Sequence, residues 1–293
     1  MVSDDTEHTV FVAQCLAANP RDAEEFQRLL AWKFRWWLLC LPAGVGFATL
    51  RSILKLWVGF SVHKSGVFSA GNGPAMRSAV LGAKFSEDPD KLSDYVRAST
   101  RLTHSDPRAE TAALAVALTA AWAVNNAAEE ATDAMCDLWR SAGPLDEEWQ
   151  ALLDRLCEAR RCGRSVAEFA AALGLQWGVS GYAYHTVPVA LYSWLRHGRD
   201  FRACLEAVLN CGGDTDTVAA IAGALAALRG PIPPEWLGKI RDFPISVAYL
   251  QRLANSLETT ARPPFFAWPL LPVRNLRFLT IVLAHGYRRL IPI

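Results

Sequence analysis

The chain has 293 residues, 52% of them hydrophobic and 20% charged, enough to bury a large core in one big domain or two small ones. Its 30 basic and 29 acidic residues give a formal net charge of +1, which excludes the broad positive footprint of a nucleic-acid binder. The seven cysteines include no CxxC pair, Cys157 and Cys162 being the closest two; no zinc site is legible, and without a signal peptide the odd count predicts reduced thiols in a cytoplasmic protein.

Helical spacing of apolar residues predicts elements over Thr6–Ala18, Ala23–Leu41 and Phe47–Phe60. The apolar run Trp36–Leu50 between them is shorter than the roughly 20 residues of a membrane span, and Pro42, Gly44 and Gly46 interrupt it. It reads as two core helices around a Pro-Gly turn, closed by Arg35 and Arg51. Further helices are expected over Pro74–Phe85, Asp90–Leu102, Ala109–Asn125, Glu130–Trp139, Asp146–Glu158 and Val166–Leu173. The series continues with Thr186–Arg196, Phe201–Leu209, Thr217–Leu228, Pro244–Glu258 and Leu276–Leu290. No alternating run flanked by hairpin turns stands out, and no fixed-period repeat. Short Gly-, Pro-, Asp- or Ser-bearing connections complete the expectation of an all-α, compact single domain.

Polar clusters interrupt this helical chain. Ser3-Asp4-Asp5-Thr6 opens the first helix. Gly71-Asn72-Gly73 turns into a helix begun by Pro74, ordinary capping chemistry that is also a ready anion cradle; both readings stay open. Thr103–Ala109 turns at Asp106-Pro107 with Arg108 beyond, and a glycine-bracketed loop from Gly178 carries Tyr182 and Tyr184 into a helix containing Pro188. His104 and His185 read as hydrogen-bonded structural histidines, since nothing supplies the spacing of a histidine metal site.

"CGGDTDTVAAIAGALAALRG", Cys211 to Gly230, is apolar on all sides after Thr217 and carries no charge until Arg229, the pattern of a helix buried all round. Asp214 and Asp216 stand at its start, where a carboxylate needs a partner. Capping is the simple explanation, but a cap needs one such residue and Asp214–Thr217 are all polar. Asp4-Asp5 forms a second acidic helix start beside hydroxyl residues. If the two starts converge, four carboxylates repel one another unless they bind protons or one or two hard divalent cations.

In their order along residues 3–230, "SDDTE" (3–7), "GNGPAMR" (71–77), "THSDPRA" (103–109), "GVSGYAYHTVPVAL" (178–191) and "GGDTDTVAAIAGALAALRG" (212–230) resemble the ADP-ribosylglycohydrolase family. The resemblance implies an orthogonal all-helical bundle with a two-magnesium centre, manganese being the substitute, that cleaves the bond between ADP-ribose and an acceptor. By position, it implies Ser3, Asp4, Asp5, Asp214, Asp216 and Thr217 as metal ligands, with Asp4 or Asp5 assisting the attacking water. It implies Gly71, Asn72, Gly73, Gly178, Ser180, Gly181, Tyr182 and Gly213 as the lining of the ADP-ribose cleft. Arg77 reads equally as a supporting ion-pair residue or a ligand. The partner is then ADP-ribose or an ADP-ribosylated protein or small molecule, the acceptor remaining open.

Two departures accompany the resemblance. Ser3 replaces the family's usual threonine, which keeps a hydroxyl, and the motif begins two residues after Met1 where family members carry a glycine-rich first helix and a mobile loop before it. The alternative expectation is therefore a non-catalytic ADP-ribose binder, inactive for want of that segment. The family domain is expected over 1–260. The basic, acid-free tail over 261–293, with Arg274, Arg277, Arg288 and Arg289, is expected to dock on it first of all, to meet a second subunit next, and to lie on a membrane surface last.

Overall fold

Side-chain caps set the helix starts. α2 (Ala23–Leu39), α5 (Pro89–Arg101), α6 (Pro107–Asn125), α8 (Glu147–Arg161) and α11 (Phe201–Leu209) each begin at an Asp whose carboxylate accepts a backbone N–H of the first turn; α9 (Val166–Ala172) begins at a Ser165–Glu168 capping box. Each such cap stabilises its helix by about 1 kcal/mol. The other helices of the computed structural model are α1 (Asp4–Ala17), α3 (Phe47–Trp57), α4 (Ala79–Lys84), α7 (Ala134–Arg140), α10 (Ala183–His197), α12 (Thr215–Ala226), α13 (Pro234–Leu237), α14 (Val247–Thr259) and α15 (Leu270–Leu290). The structure describes residues 1–42, 44–126, 129–131, 134–259 and 261–290. Among them there is no extended strand, only isolated bridges between loops. The fold is all-α.

Alanine-rich α6 is the shared wall of two apolar clusters. Ala112, Val116 and Ala120 face one, with α8, α10 and α12 around it. Ala113, Ala117 and Ala121, one turn apart, face the other, with α1, α2, α5 and α14. Small side chains allow the close packing: a Cβ on Gly82 of α4 would stand 2.0 Å from the Ala117 carbonyl oxygen. α12 brings its own small residues to the first cluster and packs against α10 and α11.

Several boundaries differ from expectation. The helix expected over Pro74–Phe85 is a 3-10 turn, Ala75–Arg77, followed by α4, because the Arg77 side chain folds inward and Ser78 Oγ donates to the Pro74 carbonyl at 2.8 Å. α15 begins six residues earlier than its apolar spacing indicates, with Pro272 in its first turn. The helix α12 is not buried all round, since Ala219, Ala220 and Ala224 are only half-buried. Likewise α2 and α3 are core helices on one face alone: Phe34 and Trp37 are buried while Trp32, Trp36 and Phe47 are exposed. Cys136 and Cys157 form a disulfide between α7 and α8, where reduced thiols are expected; the packing of those helices brings their Cα atoms to 6.8 Å. Residues 132 and 133 of the expected helix Glu130–Trp139, residue 43 of the Pro-Gly turn, residue 260 at the expected domain boundary and residues 291–293 of the tail lie outside the described residues.

Candidate active site

The starts of α1 and α12 meet at one cleft. Its walls include Asp4 from α1, Asp214, Asp216 and Thr217 from α12, Gly71, Asn72 and Gly73 from the first glycine turn, and Gly181. Its volume is about 370 Å³. Bridges lace the loops around it: Gly71 pairs with Tyr182, Val179 with Gly213, and Val67 with His104. The order of these loops along the chain is thereby converted into one rim.

Capping does not explain the acids. Asp214 occupies the N-cap position of α12 and Ser3 that of α1, yet neither side chain makes a cap hydrogen bond. Every other N-cap aspartate described does. Instead Asp214 Oδ2 accepts from the Asn72 amide at 2.7 Å, and Ser3 Oγ donates to Asp5 Oδ2 at 2.7 Å. Asp5 is buried, and its Oδ1 has no hydrogen-bond partner.

The electrostatics register the crowding. Burial, then the neighbouring Asp5, Glu7 and Asp216, push the Asp4 carboxyl up to about 7. Burial and Asp216 raise Asp5 against the pull of Ser3 and Thr217, and burial with the adjacent Asp216 raises Asp214 against Asn72 and Thr217. So the structure brings together Ser3, Asp4, Asp5, Asp214, Asp216 and Thr217, and these are the residues that could hold a metal. The donor set is oxygen only, and an orphaned buried carboxylate oxygen sits within it, which fits a hard divalent cation. Among the described residues no three carboxylate, imidazole or thiol groups already close to metal-holding distance.

The eight residues expected to line the cleft divide. Gly71, Asn72, Gly73 and Gly181 do line it, whereas Gly178, Ser180, Tyr182 and Gly213 do not border that cavity and make other contacts. Gly178 and Gly213, both at positive φ, press backbone on backbone. Ser180 Oγ meets His185 Nδ1 at 2.8 Å, and the Tyr182 hydroxyl donates to Glu148 at 2.9 Å while accepting from Arg108 at 3.3 Å. The Asn72 N–H donates to the Gly181 carbonyl at 3.0 Å, so at that residue the turn is a backbone clasp and not an anion cradle.

Phe47 and Thr49 at the start of α3, Ser69, Met76 and His104 also line it. Only spatial neighbours mark them; of these the sequence singles out His104 alone, as structural. It is buried, its Nδ1 lies 2.8 Å from Thr103 Oγ1, and burial beside cationic Arg77 holds its pKa down at about 3.

Arg77 is wholly buried, and its charge is carried without an acid partner among the described residues. Its five N–H groups reach Ser99 Oγ and O, Thr103 Oγ1, Gly73 O and His8 Nδ1 at 2.8–3.4 Å, with the Phe34 ring 5.2 Å away. Of its two expected roles it takes neither ion pair nor ligand. It props the carbonyl of Gly73 from behind the cleft.

The model of the ADP-ribosylglycohydrolase family matches residues 1–264. The chain belongs to the ADP-ribosylglycohydrolase family. It is 30% identical over 257 residues to an uncharacterized protein of Archaeoglobus fulgidus, covering 87% of this chain and 79% of that one. It is 27% identical over 244 residues to ADP-ribosyl-dinitrogen reductase glycohydrolase of Rhodospirillum rubrum, covering 82% and 73%. It is also 27% identical over 221 residues to ADP-ribosylhydrolase ARH3 of Gallus gallus, covering 66% and 58%. A solved structure described as an ADP-ribosylglycohydrolase-related protein complex matches with a TM-score of 0.64 and 26% identity, over 88% of this chain and 81% of that one.

One element of the site comes from beyond the family match. Arg274 of α15 is 1% exposed and reaches Glu7 at 2.9 Å and Asp242 at 3.0 Å. Glu7 also accepts from Trp37 Nε1 at 2.8 Å. The same guanidinium donates to the Val2 carbonyl, and Asp242 accepts the Val2 N–H at 2.6 Å. The tail therefore clamps the chain on both sides of Asp4 and Asp5.

Proposed function

We propose that the chain hydrolyses the glycosidic bond between ADP-ribose and a modified acceptor, using two magnesium ions (manganese as the substitute) held by Ser3, Asp4, Asp5, Asp214, Asp216 and Thr217. The observation that carries this reading is the convergence of two acidic helix starts whose side chains cap neither helix. When bound, the cations supply the positive charge that the cluster lacks and a fixed seat for ribose hydroxyls and water. Asp4 or Asp5 takes a proton from the attacking water, a role that needs a carboxylate within hydrogen-bond reach of it. The remaining negative charge favours the oxocarbenium-like state through which glycosidic cleavage passes. The Asn72 amide fixes the direction of the Asp214 carboxylate, and the clasp between Asn72 and Gly181 keeps the cleft wall in register.

The test is release of ADP-ribose from arginine-linked, serine-linked and nucleic-acid-linked substrates, with magnesium, with manganese and with chelator. Chelation and Asp216→Asn should each reduce turnover by a thousandfold or more, on the order of the loss of a group that acts in the transition state. Turnover that survives both refutes the metal reading. Metal-dependent binding of ADP-ribose without release from any substrate identifies a binder instead.

A further inference from the structure

Most of the large apolar side chains that remain exposed fall in two segments. On the outer face of α2 and in α3 they include Trp32, Trp36, Leu54 and Trp57; beyond Asn275, α15 exposes Leu276, Leu279, Ile281, Val282 and Leu283. The segments adjoin. Trp32, Trp36 and Leu39 of α2 share one groove of about 580 Å³ with Trp268, Pro269 and Pro272 at the root of α15. Arg35 joins α2 to α3 through the Leu56 carbonyl at 2.9 Å, and Asn275 joins α15 to α2 through the Cys40 carbonyl at 2.8 Å.

Charge decides what this face can meet. Residues 26–86 and 259–293 contain no Asp or Glu, so all 29 acids of a nearly neutral chain lie elsewhere. The exposed apolar groups are interspersed with exposed Arg51 on α3 and with exposed Arg277 and Arg288 on α15. A second copy seated on this face by two-fold symmetry would set base against base. A surface that is apolar below and negative above complements it: aromatic rings at the boundary, aliphatic side chains beneath, bases against the headgroups. No helix among the described residues is long and apolar enough to cross a membrane, so the complement lies against the protein and is not threaded by it.

We propose that the outer faces of α2 and α3 together with the distal half of α15 form a docking surface for an anionic lipid bilayer. Phe47, 84% exposed, belongs both to the acid-free segment and to the rim of the cleft, so the cleft opens beside the docked face. This holds whether or not the chain turns over ADP-ribose.

The full chain is sedimented with vesicles of phosphatidylcholine alone and with vesicles in which about a third of the lipid is phosphatidylglycerol. At least about tenfold more protein should bind the anionic vesicles, and most should be released at roughly 1 M salt. Arg277→Glu with Arg288→Glu should remove that preference, and Leu279→Ser with Leu283→Ser should weaken binding about tenfold or more, with thermal melting of the unbound protein unchanged. Should a variant fail to fold, quenching of the unmodified chain's tryptophan fluorescence by brominated phosphatidylglycerol serves in its place, as Trp32, Trp36 and Trp57 lie on the face. Equal partition between the two vesicles, or none to either, overturns the proposal. So does a concentration-dependent dimer that Leu279→Ser with Leu283→Ser dissociates, which would assign the face to a second copy.

Discussion

Replacing Arg274 by methionine tests how the acidic start of α1 is held. The guanidinium is buried and answers two buried acids, Glu7 and Asp242, as well as Asn275 Oδ1 at 2.9 Å and the Val2 carbonyl. Removing it leaves Glu7 with only the Trp37 indole and Asp242 with only backbone donors. Breaking one side of such a buried network costs about 3–5 kcal/mol, because the partner charges stay behind without solvent. For a chain of this size that is a fall in Tm of roughly 10 °C. Coupling separates the ion pair from packing. Glu7→Gln keeps an acceptor for Trp37 while deleting the orphaned charge, so adding it to Arg274→Met should recover about 2 kcal/mol, read by urea unfolding. Arg274→Lys should recover less, since one ammonium cannot serve Glu7, Asp242 and Val2 at once. The single variant should also bind magnesium more weakly than the parent by calorimetry, because Val2 and Glu7 flank Asp4 and Asp5. If Arg274→Met melts within about 2 °C of the parent, or the double variant is no more stable than the single, the clamp does not hold the helix start and the reasoning fails.

Three further outcomes follow from named contacts. His104, held down at about 3 against 6.5 in the unfolded chain, contributes fully above pH 6.5 and loses that contribution as pH falls toward 3. Asp4, raised to about 7, runs the other way, so the comparison is with His104→Gln: relative to it the parent should lose about 2 kcal/mol between pH 7 and pH 5, and parallel stability profiles would contradict the assignment. Gly213→Ala places a Cβ 2.1 Å from the Val179 carbonyl oxygen at φ +79° and should cost more than about 2 kcal/mol by denaturant melt, whereas Gly163→Ala, at φ +67° in open space, should cost about 1. Asn72→Ala removes the donor to Asp214 and should lower magnesium affinity or turnover about 10- to 100-fold while the fold persists; unchanged kinetics and metal titration would show that Asp214 needs no such support.

The sequence carried the fold class because the helices of this chain advertise themselves locally. Asp22, Asp88, Asp106, Asp146 and Asp200 cap the helices that follow them, and α6 and α12 are legible from alanine content alone. Where the helices depart from their apolar spacing, side chains compete with the backbone. Arg77 turns inward to donate to Gly73 O at 3.1 Å, and the helix expected from Pro74 opens as a single tight turn before α4. Similarly, apolar periodicity could not tell that α2 and α3 would find a core for Phe34 and Trp37 but none for Trp32 and Trp36, because what covers a face is decided by distant chain.

The site was half legible, for a reason of the same kind. Asp214 and Asp216 were conspicuous because a buried helix has little use for a second acid, and the absent cap bond at Asp214 removes the ordinary explanation. The loop glycines were harder to assign, since a glycine required for close backbone approach and one required to leave space for a ligand look alike in sequence. Gly178 and Gly213 serve the first purpose, and Gly71, Gly73 and Gly181 border the cleft. Arg274 had no local signal: one arginine in a basic, apolar tail does not differ from its neighbours until Glu7, 267 residues earlier, lies 2.9 Å away. A buried arginine must satisfy its donors wherever acceptors are found. Here two of those acceptors, Val2 and Glu7, flank Asp4 and Asp5, so a segment outside the family match holds the chain on either side of the acidic centre within it.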